Sequence, residues 1–273
     1  MSAEPSPQPP PQRPLSARVF DLLTWGGVAV LLVVSFGPAE IGKFPLLFGS
    51  ESGMRDFVGG FFAPFRDRAE FLSMDWPLYI SKMWQTIQMA LWGTALAIIA
   101  AIPFGLLGAR NIAPAWIQQP VRRMLDMVRS IPDLVLAVMF ITAVGLGPFA
   151  GVMAMTLNTG GVLAKLFSEA VESIDRGPVE GVRATGAGRL QEIVWGVLPQ
   201  VAPLWTSYAL YRFESNSRAA TVLGLIGAGG IGQVLIDSTN TFRYGETGCI
   251  VLVIVVAVSM IDLLSQAIRT RLL

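Results

Sequence analysis

The sequence predicts an all-α, polytopic membrane protein of about six transmembrane helices, and three observations predict it. Apolar residues fill 53% of 273 positions and charged residues only 14%, against roughly 25% charged in an ordinary soluble domain. Several charge-free runs reach the roughly 20 apolar residues that a helix needs to cross a hydrocarbon core about 30 Å thick. Polar, cation-bearing segments separate these runs, as loops outside a bilayer do. Composition also bears on chemistry. With no His and a single cysteine, Cys249, the chain offers no imidazole for a catalytic dyad or a metal site and no disulfide within itself. The net charge of +1 says little, because in membrane proteins the distribution of cations among loops matters more than their sum.

Residues 1–17 are Pro-rich and polar, too poor in apolar surface to offset the entropy of ordering, so they read as a disordered tail. Residues 22–39 carry no acid or base until Ala39 and follow Arg13 and Arg18. The run is long and lacks a convincing small-residue cleavage site, so residues 18–39 read as a retained first helix and not as a signal peptide. Residues 40–82 mix charges with Phe57, Phe61, Phe62, Phe65, Phe71 and Trp76, and Gly59, Gly60 and Pro64 break them up. An interfacial, partly helical loop is expected there. Its aromatics suit membrane-interface anchors, with docking of an outside partner as the alternative.

A second spanning helix is expected over residues 84–109, which end at Arg110. Residues 134–164 form an uncharged run too long for one untilted helix, and the segment from Gly145 to Pro148 interrupts it, so two helices are expected over about 130–146 and 149–168. A polar loop follows over 169–200. A fifth span runs over about 202–225, then a glycine-rich re-entrant or external loop, then a last helix over about 247–267 before Arg269 and Arg271. Six spans put both termini on one side. That side and the 169–200 loop hold twelve Lys and Arg against six opposite, with Arg212 and Arg218 inside a span. Because cationic loops stay inside, both termini and the loop are expected in the cytoplasm.

Two segments carry candidate functional residues. In the loop, Gly177 and Pro178 suit a boundary between two helices, and Gly186 can take the left-handed angles that end one. A short helix over 178–185, slung between two spans, would be a rigid lever for an outside partner. Its candidate residues are Glu180, Arg183, Ala184, Gly186, Leu198 and Pro199; an amphipathic connector lying on the membrane is the alternative. In the fifth span stand Arg212, Glu214, Ser215, Asn216 and Arg218. A charge near the bilayer centre costs about 2.5–3.5 kcal/mol on insertion scales, so such residues face a pathway or one another. Glu214 and Arg218 are spaced for an intrahelical pair and Arg212 points elsewhere. They either line a path for an anion or form a structural network. The segment Gly227 to Gly232 formally fits G-x-G-x-x-G, but no strand precedes it and the acid spacing is wrong for a dinucleotide site; tight backbone packing explains it better. No P-loop motif occurs, so energy from ATP would have to come through a partner.

The stretch from Glu180 to Pro199, E-G-V-R-A-T-G-A-G-R-L-Q-E-I-V-W-G-V-L-P, resembles the cytoplasmic loop of bacterial ABC importer permeases. It keeps Glu180, Ala184, Gly186, Leu198 and Pro199, with Gly181 where that family usually has Ala. Residues 211–216 and 218–232 look like phosphonate permeases in particular, and the similarity extends over 84–273. The resemblance implies the type I ABC importer permease fold over residues 83–273, with the 169–200 loop as coupling loop. It implies a homodimer, two ATPase subunits that bind ATP and Mg, and an extracytoplasmic phosphonate-binding protein, in a bacterial inner membrane, with no cofactor in this chain. The cargo implied is phosphonate, with phosphite or a related phosphorus oxyanion as near neighbours. The competing readings are an ion-coupled secondary transporter or channel for a small anion, and a membrane-embedded enzyme. The first has no use for an ATPase-docking loop and usually shows inverted repeats; the second lacks histidine and any catalytic motif.

Overall fold

The computed structural model describes residues 15–43 and 53–272, all helices and connections with no strand among them. Residues 1–14 of the expected tail and residues 44–52 of the expected first loop lie outside the described residues. The described residues divide into two units between Gly59 and Gly60. The first holds α1 (Leu15–Phe36), which starts three residues inside the expected tail and ends before Ala39. Its apolar side chains are exposed along the whole spanning stretch, Leu22 and Val33 each at 75%, a condition that hydrocarbon tolerates and water does not.

The second unit begins inside α2 (Met54–Arg66) and continues through α3 (Arg68–Ser73) to α4 (Trp76–Gly108). The expected loop over 40–82 is therefore partly helical, but its boundary is corrected: α4 starts at Trp76, not at residue 84. Asp75 caps it by accepting from Leu78 N at 3.2 Å, and Pro77 occupies the first turn, where its missing N–H is no loss. Lys82, read as the last charge of the loop, sits on the second turn of α4.

The next expectation is corrected more deeply. No single helix covers residues 130–146. Instead α5 (Ala115–Ser130) and α6 (Asp133–Val144) meet at an 87° bend and are long and apolar enough for a span only when taken together. The cause is Pro132, whose ring disfavours helical angles at Ile131 and cannot donate to the helix before it. Contacts along α7 (Pro148–Glu172) show that both halves climb the same helix: Arg122 bonds Glu172, Lys165 bonds Asp126, and Asn158 bonds the Ile131 carbonyl. The α6–α7 turn uses Gly145 and Gly147, both at positive φ, as only glycine does readily.

After α7 come α8 (Arg176–Ala184) and α9 (Arg189–Gln191). A wide π turn over Glu192–Val197 then leads into α10 (Leu198–Leu223), and a second π turn over Gly224–Ala228 leads to α11 (Ile231–Asn240) and α12 (Tyr244–Leu272). The stretch expected to remain loop up to residue 200 is thus already helical from Arg189, and the last helix is longer at both ends than expected. Among the described residues four helices, α1, α4, α7 and α12, are each long and apolar enough to span; counting the bent pairs α5–α6 and residues 189–228 with α11 (58°) as one span each gives up to six.

The core sits where α4 meets α7. Small residues let their backbones approach: a Cβ added at Gly105 would lie 2.7 Å from the Phe167 Cβ and 3.2 Å from the Ala164 carbonyl. Phe167 in turn stacks on Trp205 of α10, centroids 4.3 Å apart. At the far end of α10, Gly224 and Gly232 press together, so that a Cβ at Gly224 would lie 2.6 Å from the Gly229 carbonyl oxygen.

Candidate functional site

Helix α8 is anchored at both ends. Asp175 caps its start by accepting from Gly177 N at 3.0 Å, and Asp175 is itself held by Gln200, which accepts from its N–H at 3.1 Å and donates to its carbonyl at 3.2 Å. The helix therefore starts at Arg176, two residues before Pro178. At its end Gly186, with φ +83°, reverses the chain. Arg183 then makes a bidentate ion pair with Glu192, 2.8 and 2.9 Å, across the turn, and this hydrogen bonding holds the Arg183 guanidinium even further above its ordinary pKa. Gly196 lets the π turn press on α8, leaving 3.0 Å between a hypothetical Cβ and Val179 Cα.

The result is a rigid helical hairpin with two faces. Beneath it lies a cavity of about 300 Å³ lined by Glu172, Arg176, Glu180, Arg183, Arg189 and Glu192 among others. Outside it lies an open hollow bordered by Pro178, Thr185, Gly186 and Trp195, with Trp195 69% and Leu190 78% exposed. Two large apolar side chains thus stand exposed on an otherwise polar connector. Glu180, Arg183, Ala184 and Gly186 are thus brought together on this hairpin. Leu198 and Pro199 are not: they open α10, and Leu198 packs against the core. Glu192 and Trp195 escaped sequence reasoning, although a turn at Gly186 would have paired Arg183 with an acid on the returning helical segment.

The charges of α10 separate into two groups. Glu214 and Arg218 pair at 2.7 Å and extend to α12, where Arg218 meets Asp262 at 2.9 Å and Arg269 lies 3.7 Å from Glu214. Arg212 and Asn216 turn the other way. Asn216, 1% exposed, donates to Thr94 of α4 at 2.8 Å and accepts from Thr159 of α7 at 2.9 Å, while Arg212 donates to the same Thr159 at 3.1 Å. Ser215, half-buried, lies between the two groups on the helix.

Asp133, the first residue of α6, completes the second group as the acid whose field acts on Arg212. Asp133 to Val144, Pro148 to Thr159 and Arg212 to Leu223 are each 11 residues apart, about 16 Å of helix rise. Those three ends converge, with Gly147 N donating to the Gly227 carbonyl at 3.1 Å. Asp133, Thr159 and Arg212 therefore lie about level with one another, a similar rise away from that end of the bundle. Asp133 stands just before the uncharged run that starts at residue 134 and so reads as part of its boundary, and Thr159 does not stand out inside that run.

The profile of the family described as binding-protein-dependent transport system inner membrane component matches residues 101–272. The chain is 44% identical over 189 residues to the phosphate-import permease protein PhnE of Mycolicibacterium smegmatis, a match covering 69% of this chain and 36% of that protein, so that it spans about a third of that relative's length. It is 40% identical over 192 residues to the phosphite transport system permease protein PtxC of Stutzerimonas stutzeri, covering 70% of each. Over 117 residues, 43% of this chain and 96% of the other, it is 56% identical to an Escherichia coli protein described as a candidate cryptic phosphonate transport system permease, PhnE2. Among solved structures, an inward-facing MetNI methionine ABC transporter chain superposes with a TM-score of 0.64 at 22% identity, covering 73% of this chain and all of that one. At that identity the likeness carries the fold alone, and the fold is that of a type I ABC importer permease.

Proposed function

The chain belongs to the family of binding-protein-dependent transport system inner membrane components, and from that premise we propose that it is the permease subunit through which an ATP-driven importer passes a phosphorus oxyanion, phosphonate first and phosphite or phosphate next. It is a multi-pass transport subunit and not an enzyme. Two copies of the chain, two ATPase subunits and an extracytoplasmic binding protein form the working complex, in a bacterial inner membrane, with both termini and the α8–α9 hairpin in the cytoplasm. ATP and Mg belong to the ATPase.

The observation that carries this reading is the hairpin itself. Its cap, ion pair and close packing fix α8 to the start of α10, so that force on its exposed face reaches a span instead of dissipating in a loose loop. ATP binding draws the ATPases together, the two hairpins follow, and α10 changes its packing on α7 at the level of Arg212 and Asn216. Arg212 then offers its guanidinium to the passing anion, while the Glu214, Arg218, Asp262 and Arg269 network ties α10 to α12 and balances its own charge.

The test is ATP hydrolysis by the chain reconstituted in lipid with the ATPase and binding protein encoded beside it. Stimulation by binding protein loaded with methylphosphonate, phosphite or phosphate, lost in Gly186→Asp, is the expected result. No association with an ATPase, or hydrolysis indifferent to Gly186→Asp, would return an ion-coupled carrier to first place.

A further inference from the structure

Two atoms in the polar cluster have no hydrogen-bond partner although both are buried: Oδ1 of Asp133, an acceptor, and Nε of Arg212, a donor. Buried polar atoms are rarely left so, and each exception calls for a reason. These two have opposite hydrogen-bonding sense and lie about level with one another on helices packed together through Leu136, Ala137, Ala220 and Leu223. Each sits in the field of the other, yet no ion pair between them forms among the described residues. The α6 N-terminus adds the N–H groups of a helix whose N-cap, Pro132, has no side-chain cap bond, and such an end favours negative charge.

We propose that Asp133 and Arg212 are the acceptor and donor of an oxyanion subsite between α6, α7 and α10, one that takes anions still carrying a hydroxyl hydrogen. Arg212 Nε donates to a charged oxygen of the anion, and Thr159, already bonded to Arg212, fixes the direction of the guanidinium. Asp133 Oδ1 accepts the hydrogen of the anion's own OH. A monoprotonated phosphonate, phosphite or phosphate supplies both partners. Sulfate, fully ionised near neutral pH, has no hydrogen to give and would set one of its oxygens against the carboxylate, so that both groups stay unsatisfied in a place where that is costly. Asp133 is thereby a specificity-determining residue and Arg212 an affinity-determining one. This inference rests on the reading of Arg212 as part of the anion path, and the experiment separates the two.

The assembled permease–ATPase complex in detergent, without binding protein, is dialysed to equilibrium against radiolabelled methylphosphonate or sulfate. Wild type is expected to prefer methylphosphonate by at least about tenfold, since a site built for a hydrogen-bonding group rejects the analogue that lacks it. Asp133→Asn, of the same shape, offers an amide N–H to sulfate and is expected to bring the two affinities within about threefold of each other; Asp133→Ser, smaller and neutral, should do the same. Arg212→Gln should lose both ligands. Assembly with the ATPase, checked by size-exclusion chromatography, confirms that each variant is folded. If both Asp133 variants keep the wild-type preference while Arg212→Gln abolishes binding, the role of Asp133 is overturned and the anion path stands. If Arg212→Gln binds as wild type does, or wild type binds neither anion, both fall.

Discussion

Asn216 shows how one side chain holds three spans in register. Its amide reaches Thr94 on α4 and Thr159 on α7 from a site 1% exposed. Hydrogen bonds between spans average about 0.6 kcal/mol and reach about 1.7, because the unfolded chain in a membrane also finds partners. Losing two should destabilise the protein by about 1–2 kcal/mol in Asn216→Ala, read as a lower SDS midpoint in mixed-micelle unfolding. Thr206 bonds only the Ala202 carbonyl of its own helix from an exposed position, so Thr206→Ala should leave that midpoint unchanged; an equal shift in the two variants would mean that Asn216 is not a bridge. Arg183 is the opposite case, an exposed residue whose ion pair with Glu192 serves geometry more than stability, as exposed pairs do. Arg183→Ala should keep the midpoint yet cut ligand-stimulated ATP hydrolysis in proteoliposomes several-fold, whereas unaltered stimulation would show that the hairpin transmits force without that pair.

At the scale of elements, helix ends that carry a chemical signature are legible in the sequence, while those that tertiary structure decides are not. Gly186 announced the end of α8, and Gly145 to Pro148 announced the turn between α6 and α7, because each demands backbone angles that glycine adopts readily. The expected onset of α4 lies too late because Lys82 reads as a loop residue, although the Asp75 and Pro77 pair is itself a start signal. The break at Pro132 is legible by the same rule, yet the helix expected from about residue 130 runs across it. The division of α10 charges between α7 and α12 was open in the sequence, because spacing shows which residues share a helix face and not which helix that face meets. Close packing of α4 on α7 is testable at this scale. Any side chain at Gly105 meets Phe167 Cβ and the Ala164 carbonyl, and overpacking of this kind costs about 1–3 kcal/mol. Gly105→Val should lower the thermal midpoint or prevent assembly, while Gly26→Val on α1, with nothing within 4 Å of its Cβ, should be silent. A stable Gly105→Val protein would mean that the two helices lie further apart than described.

For the molecule as a whole, the remaining question is direction, and the charges suggest an orientation that labelling can test. Arg122 is tied to Glu172 and the Gly108 carbonyl, Lys165 to Asp126, and Arg189 to the Ile112 carbonyl. All of these gather at the end of the bundle that carries the α8–α9 hairpin. The opposite end holds the glycine turns and the start of α12, where Arg243 is paired with Glu246. Because cation-rich ends are retained inside, the proposed orientation would put the hairpin on the side where ATP is and the α11–α12 turn on the side of a binding protein. With Cys249, a buried thiol, replaced by Ser, single cysteines at Thr185 and Asn240 report the two ends, both positions being exposed. A membrane-impermeant maleimide should label Asn240→Cys in intact cells and Thr185→Cys only after the membrane is opened. The reverse pattern would put the hairpin outside, out of reach of any ATPase, and with it would go the importer reading, since no other described surface joins a rigid connector to the span that bears Arg212.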